Sequence, residues 1–198
     1  MGTGDFNSDG KSDILLQHHS GLLVVGLLNG LTWLQGGALG FAPPPWLVMG
    51  TNDADGDGQS DVILRNSATG TLTAWFVAGR VRTRTAILGV TNLAAQVAGM
   101  GRVNVDGRED LILHTPSLGA LVTWFLRGVT APWKAPLQSI LPTWSIADIG
   151  DFDGDRRVDF AFRQPTHHIA VRLRNGTVPG ASIIIGKADP AWAIVPAR

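Results

Sequence analysis

The stretch Asp53-Ala54-Asp55-Gly56-Asp57-Gly58-Gln59-Ser60-Asp61-Val62-Ile63-Leu64 decides how this chain is read. It places carboxylates at positions 1, 3, 5 and 9 of a nine-residue loop and a Gly at position 6. A β-branched and aliphatic run follows at once, which reads as a strand. Three other segments keep the same phase. Asp5-Phe6-Asn7-Ser8-Asp9-Gly10-Lys11-Ser12-Asp13 precedes Ile14-Leu15-Leu16, and Asp151-Phe152-Asp153-Gly154-Asp155-Arg156-Arg157-Val158-Asp159 precedes Phe160-Ala161-Phe162. The third is Arg102-Val103-Asn104-Val105-Asp106-Gly107-Arg108-Glu109-Asp110, before Leu111-Ile112-Leu113. Of the 15 Asp residues, only Asp148 and Asp189 lie outside these loops, so the acids are not a scattered solvating surface.

Working outward, the loops start at residues 5, 53, 102 and 151, steps of 48 or 49. Gly30, Gly79, Gly128 and Gly176 keep that step, as do Trp46, Ala95, Trp144 and Trp192. Such self-similarity marks a repeat architecture. Each repeat reads as four short strands: one opening at the Trp or Ala slot, one after the acidic loop, one such as Leu72–Val77 or Leu121–Leu126, and one after a tight turn such as Asn29-Gly30 or Asn175-Gly176. The expected fold is all-β: a single domain over 1–198 forming a β-propeller of four four-stranded blades. The segment 192–195 supplies a first strand without its loop, while the chain starts at a loop without its strand, so 192–195 is expected to complete the first blade. Exchange of that strand between two chains is the alternative, giving a monomer or a strand-exchanged dimer.

Composition excludes several classes. Lys+Arg and Asp+Glu both number 16, so there is no basic footprint for nucleic acid. Cys is absent, which removes disulfides, thiolate metal sites and a Cys nucleophile. No apolar run is long enough for a membrane-spanning helix. The first residues do not read as a signal peptide. No nucleophile elbow or phosphate-binding Gly loop occurs, and the chain is read as a non-enzyme.

Hard oxygens at positions 1, 3, 5 and 9, with a backbone carbonyl at position 7, suit Ca2+. Uncompensated carboxylates so close together would repel. The expected ligands are Asp5, Asn7, Asp9, Lys11 and Asp13; Asp53, Asp55, Asp57, Gln59 and Asp61; and Asp151, Asp153, Asp155, Arg157 and Asp159, with Lys11, Gln59 and Arg157 contributing carbonyls. Loop three has Arg102 at position 1 and is expected to be empty, its guanidinium pairing with Asp106 or Asp110. Arg156 at the Gly position of loop four is expected to strain the backbone. The competing reading of all four loops is that of metal-free Asx turns joining strands.

Gly4-Asp-Phe-Asn-Ser-Asp-Gly-Lys-Ser-Asp-Ile-Leu-Leu and Gly150-Asp-Phe-Asp-Gly-Asp resemble FG-GAP/VCBS repeats of integrin-α-like propellers. The resemblance covers essentially the whole chain. It implies a calcium-binding, usually extracellular β-propeller that acts in adhesion or carbohydrate recognition, or is appended to an enzyme. The implied partner is a carbohydrate or cell-surface glycan, or a protein. Trp75 and Trp124 share one slot of the third strand, held elsewhere by Gly26 and Arg172, and read either as sugar-stacking platforms or as packing between blades. Arg65 shares a polar slot with Gln17, His114 and Arg163 and could bond a ligand or a neighbouring backbone. Trp46, Trp144 and Trp192 read as core, and the His18-His19 and His167-His168 pairs as solvated turns.

Overall fold

The computed structural model describes residues 2–128, 130–189 and 191. The expected closing strand 192–195 lies outside them. Among the described residues, sixteen strands form four antiparallel four-stranded sheets. Sheet one is β1 (Gly2–Gly4), β2 (Asp13–Gln17), β3 (Leu22–Asn29) and β4 (Thr32–Phe41). Sheet two is β5 (Trp46–Asn52), β6 (Asp61–Asn66), β7 (Thr71–Ala78) and β8 (Val81–Val90). Sheet three is β9 (Gln96–Gly101), β10 (Asp110–Thr115), β11 (Ala120–Arg127) and β12 (Thr130–Leu137). Sheet four is β13 (Ser145–Gly150), β14 (Asp159–Arg163), β15 (His168–Asn175) and β16 (Val178–Lys187). Within each sheet, strands neighbour in chain order, so every connection is a hairpin. Among the described residues no helix is long and apolar enough to cross a membrane.

The strands fall where the repeat places them, with one correction. The chain does not open directly on an acidic loop: Gly2–Gly4 already pairs with Asp13–Leu15 as β1. This three-residue strand corresponds to only the last part of β5, whose pairing runs back to Trp46 opposite Asn66. The first strands of the other sheets share a bulge. Met49, Ala98 and Ala147 are each the extra residue between two paired positions.

The chain divides into two compact units, Met1–Leu93 with Leu126–Pro132, and Ala94–Phe125 with Trp133–Arg198. In the first, Phe6, Leu15, Leu23, Val25, Leu39, Val62, Leu64, Trp75 and Val77 form one buried cluster. In the second, Val103, Ile112, Phe125, Leu137, Val158, Phe160 and Phe162 do the same, with Trp144 and Ile146 packed against them. Trp46 packs partly buried on the first cluster. The acidic loops also lock one sheet to the next through backbone. Ser60 N–H donates to Asp5 O at 2.7 Å, Gly79 N–H to Phe6 O at 2.7 Å, and Gly128 N–H to Ala54 O at 2.9 Å. In the second unit Val158 N–H donates to Arg102 O at 2.9 Å.

Candidate metal centres

Position 9 is the most enclosed of the acidic positions in each loop. Asp13, Asp61, Asp110 and Asp159 open the second strands and are fully buried. Asp13 Oδ2 accepts Phe6 N–H at 2.9 Å and Oδ1 accepts Leu28 N–H at 2.8 Å. Asp61 accepts from Ala54 and Val77, each at 3.0 Å. Asp159 accepts from Phe152 at 2.9 Å and Arg174 at 2.7 Å. Each such carboxylate therefore ties its loop to the third strand of its sheet, a role that the sequence reading missed. The sign was present in the sequence: loop three has lost its first acid yet keeps Asp110, whose Oδ2 accepts Val103 N–H at 3.2 Å.

Position 1 organises the turn. Asp53 Oδ1 accepts N–H from Gly56 and Asp57, and Oδ2 accepts Gly58 N–H at 2.9 Å. Asp5 gathers Asn7, Asp9 and Gly10 in the same way, and Asp151 gathers Gly154 and Arg156. Burial acts to raise the Asp151 carboxyl, but these N–H bonds outweigh it and hold the group below its ordinary range. Position 5 caps position 7: Asp9, Asp57 and Asp155 accept the N–H of Lys11, Gln59 and Arg157 at 2.8–2.9 Å.

Three carboxylates converge in two loops. One oxygen each from Asp53, Asp55 and Asp61 lies within 4.8 Å of the others, as does one each from Asp151, Asp153 and Asp159. Loop one has Asn7 where those loops have a middle carboxylate, and the Asn7 amide donates to Asp9 Oδ2 at 3.3 Å. Asp57 and Asp155 are not among the converging groups; each accepts the N–H of position 7 and lies beside that residue's side chain. Electrostatics match the crowding. Burial pushes the Asp61 carboxyl up to about 7, its bonds from Val77 and Ala54 offset part of that, and the charges of Asp55 and Asp57 add to it. Asp159 is raised by burial, with Asp153 and Asp155 adding. Asp55 is raised by burial and by Asp57, despite an ion pair of 2.6 Å from its Oδ2 to Arg84. Its other oxygen, Oδ1, is buried without a hydrogen-bond partner. A cation held among Asp53, Asp55 and Asp61 would satisfy that oxygen, so the donor set of loop two fits a hard divalent ion.

Loop four takes the expected strain. Arg156 has φ +67°, where Gly10, Gly58 and Gly107 have +79°, +83° and +84°. Arg157 reaches the Asn175 side chain and sits 3.7 Å from Asp155. Loop three departs from expectation. Arg102 is exposed and makes no ion pair among the described residues; in place of Asp106 or Asp110, its contact is the backbone bond to Val158.

The proposed sugar-contacting residues serve the interior. Trp75 and Trp124 are 6% and 3% exposed. Arg82 lies over the Trp75 ring and Lys134 over Trp124, at 4.1 and 3.7 Å from the centroids, so neither indole offers a free face. Where this slot holds Gly26, the Trp33 ring occupies the space that a side chain there would fill. Arg65 is buried and donates to Thr91 Oγ1 and to the carbonyls of Asn92 and Leu93. His18 and His19 are exposed turn residues.

The second unit holds a cleft of about 1000 Å³ that the sequence reading did not identify. Trp144, Gln96, His114, Asp148, Arg163 and Gln164 supply much of its lining. His114 is 8% exposed, its Nε2 is sealed without a partner, and burial pulls its pKa below the usual imidazole range. Asp148, one of the two acids outside the loops, was the available sign.

No protein-family model matches the chain, and a search of curated proteins finds no relative.

Proposed function

We propose that the chain is a calcium-stabilised β-propeller acting as a non-enzymatic binding module. The carrying observation is the convergence of Asp53, Asp55 and Asp61 around a buried, partnerless Asp55 Oδ1. The matching group in loop four and the four-stranded sheets in phase with every loop support the same reading. Three carboxylates and nearby carbonyls are a donor set for Ca2+, and loops that tie sheet to sheet are where an ion would add most to stability. Loops one, two and four are the proposed sites. An extracellular location is proposed with it, and the resemblance to FG-GAP/VCBS repeats supports that reading. The test is thermal unfolding in EGTA and in millimolar Ca2+. The reading predicts a clear Ca2+-dependent rise in midpoint, reduced in an Asp53→Asn, Asp151→Asn double variant and abolished when Asp5→Asn is added. An unchanged midpoint in the parent refutes it.

A carbohydrate is the proposed ligand class, now assigned to the cleft of the second unit rather than to Trp75, Trp124 and Arg65. An indole beside amide, carboxylate and imidazole groups is suited to a saccharide. Glycan-array binding that Trp144→Ala abolishes is the expected outcome. A protein partner in adhesion is the rival, and pull-down without any glycan signal would favour it.

A further inference from the structure

Within the second unit, sheets three and four pack on each other through the cluster that joins Ile112, Leu121 and Phe125 to Phe160 and Phe162. The repeats make the lining of this interface comparable slot by slot. In the third strands, Gly26, Trp75 and Trp124 match Arg172, and Leu28, Val77 and Leu126 match Arg174. Sheet four alone therefore carries two guanidiniums where the other sheets have an apolar residue or Gly. The Arg172 guanidinium lies 5.1 Å from the Phe162 ring centroid, and that of Arg174 lies 5.5 Å from the Phe160 centroid. Those contacts place both on the face turned to sheet three. Arg174 is 3% exposed and Arg172 is half-buried.

Neither guanidinium is matched by an acid. Arg172 Nε donates to Ser182 Oγ at 2.7 Å, and Arg174 donates through Nη2 to Thr177 O at 2.8 Å and through Nε to Gly176 O at 3.4 Å. The Nη1 of each is sealed from solvent without a partner, and among the described residues neither makes an ion pair. Asp159, the acid beside Arg174, accepts backbone N–H at both oxygens, from Arg174 itself and from Phe152. Across the interface, Thr123 alternates with Leu121 and Phe125, which puts its hydroxyl on the face turned to sheet four. It is fully buried, and its Oγ1 also has no partner. The matching Val25, Ala74 and Val171 have no side-chain donor. Burial, and then the charge of Arg172, lowers the Arg174 pKa to about 10, which leaves it charged near neutral pH. Two neighbouring buried cations without a counter-charge are unfavourable, and unpartnered donors on both walls of one interface complement a doubly charged oxyanion. We propose that the interface between sheets three and four binds a free tetrahedral oxyanion of the phosphate or sulfate class, held by Arg172, Arg174 and Thr123. Because these donors are sealed from solvent, a free ion fits them and the same group carried on a saccharide does not.

The test is thermal unfolding of the full chain in EGTA, which keeps calcium out of the result, with sodium phosphate or sulfate exchanged for chloride at constant ionic strength. The parent midpoint should rise and level off as the site fills. Exclusion of these anions from protein surfaces also stabilises, but that effect does not saturate and is common to all variants. Arg174→Leu installs the residue that sheet three has in this slot and should remove the saturable part. Isothermal titration calorimetry with sulfate should show the dissociation constant raised on the order of tenfold or more in that variant, and less in Thr123→Val. Circular dichroism verifies folding, and Arg172→Met replaces Arg174→Leu should the latter not fold. A parent without a saturable response, or a variant that keeps it in full, would overturn the site. Glucose 6-phosphate should give no saturable rise, and a rise equal to that of phosphate would overturn the assignment to a free ion.

Discussion

Asp13→Ala isolates the part of the loop that belongs to the protein from the part that belongs to the ion. The side chain is fully buried and accepts two backbone bonds, one buried from Phe6 and one half-buried from Leu28. A buried donor left without a partner costs about 1–3 kcal/mol, and bonds to a carboxylate lie at the strong end. Water can partly serve Leu28 N–H but cannot reach Phe6, so the two together should cost about 3–4 kcal/mol. For a chain of this length that is a fall in Tm on the order of 10 °C. The assay is urea unfolding followed by Trp fluorescence, in EGTA and again with Ca2+. The loss should appear in full in EGTA, because no ion is involved. Asp9→Asn should leave the EGTA curve in place and reduce only the Ca2+-dependent increment. An Asp13→Ala protein within about 1 kcal/mol of the parent in EGTA would refute the anchoring role.

Three further outcomes follow from the same geometry. In EGTA, Asp61 binds its proton more tightly folded, at about 7, than unfolded near 4, so its contribution favours the fold at low pH and is lost as pH rises across that interval. Tm measured in EGTA should therefore fall between pH 5 and 7, the Asp61→Asn variant should flatten that slope, and the Ca2+ increment should grow over the same range. Arg156→Gly relieves a left-handed residue and should stabilise by about 0.5–1 kcal/mol in urea unfolding. Trp75→Ala should cost about 3–5 kcal/mol, as a buried ring does, and leave glycan-array binding unchanged in conditions where the protein is folded.

Much of this arrangement was legible in the residues alone. The 48- or 49-residue step and the residue types flanking each loop set the sixteen strands and the start of every second strand at an Asp. The backbone strain at Arg156 was also legible, because a turn that uses Gly in three repeats demands the same φ in the fourth. These are local matters: spacing, turn chemistry and alternation act within a dozen residues. Tertiary structure decided the rest. Asp13 and Asp61 reach N–H groups 15 and 16 residues away, each on the adjoining strand. Trp75 and Trp33 are both tryptophans of an apolar sheet, yet one is buried under Arg82 and the other covers a glycine, because the space each fills is defined by its neighbours. Leu39 and Ile185 occupy the same place in their repeats and differ by no more than a methyl position. One is buried and the other exposed, since burial depends on the sheet that lies across from a residue and not on the residue itself.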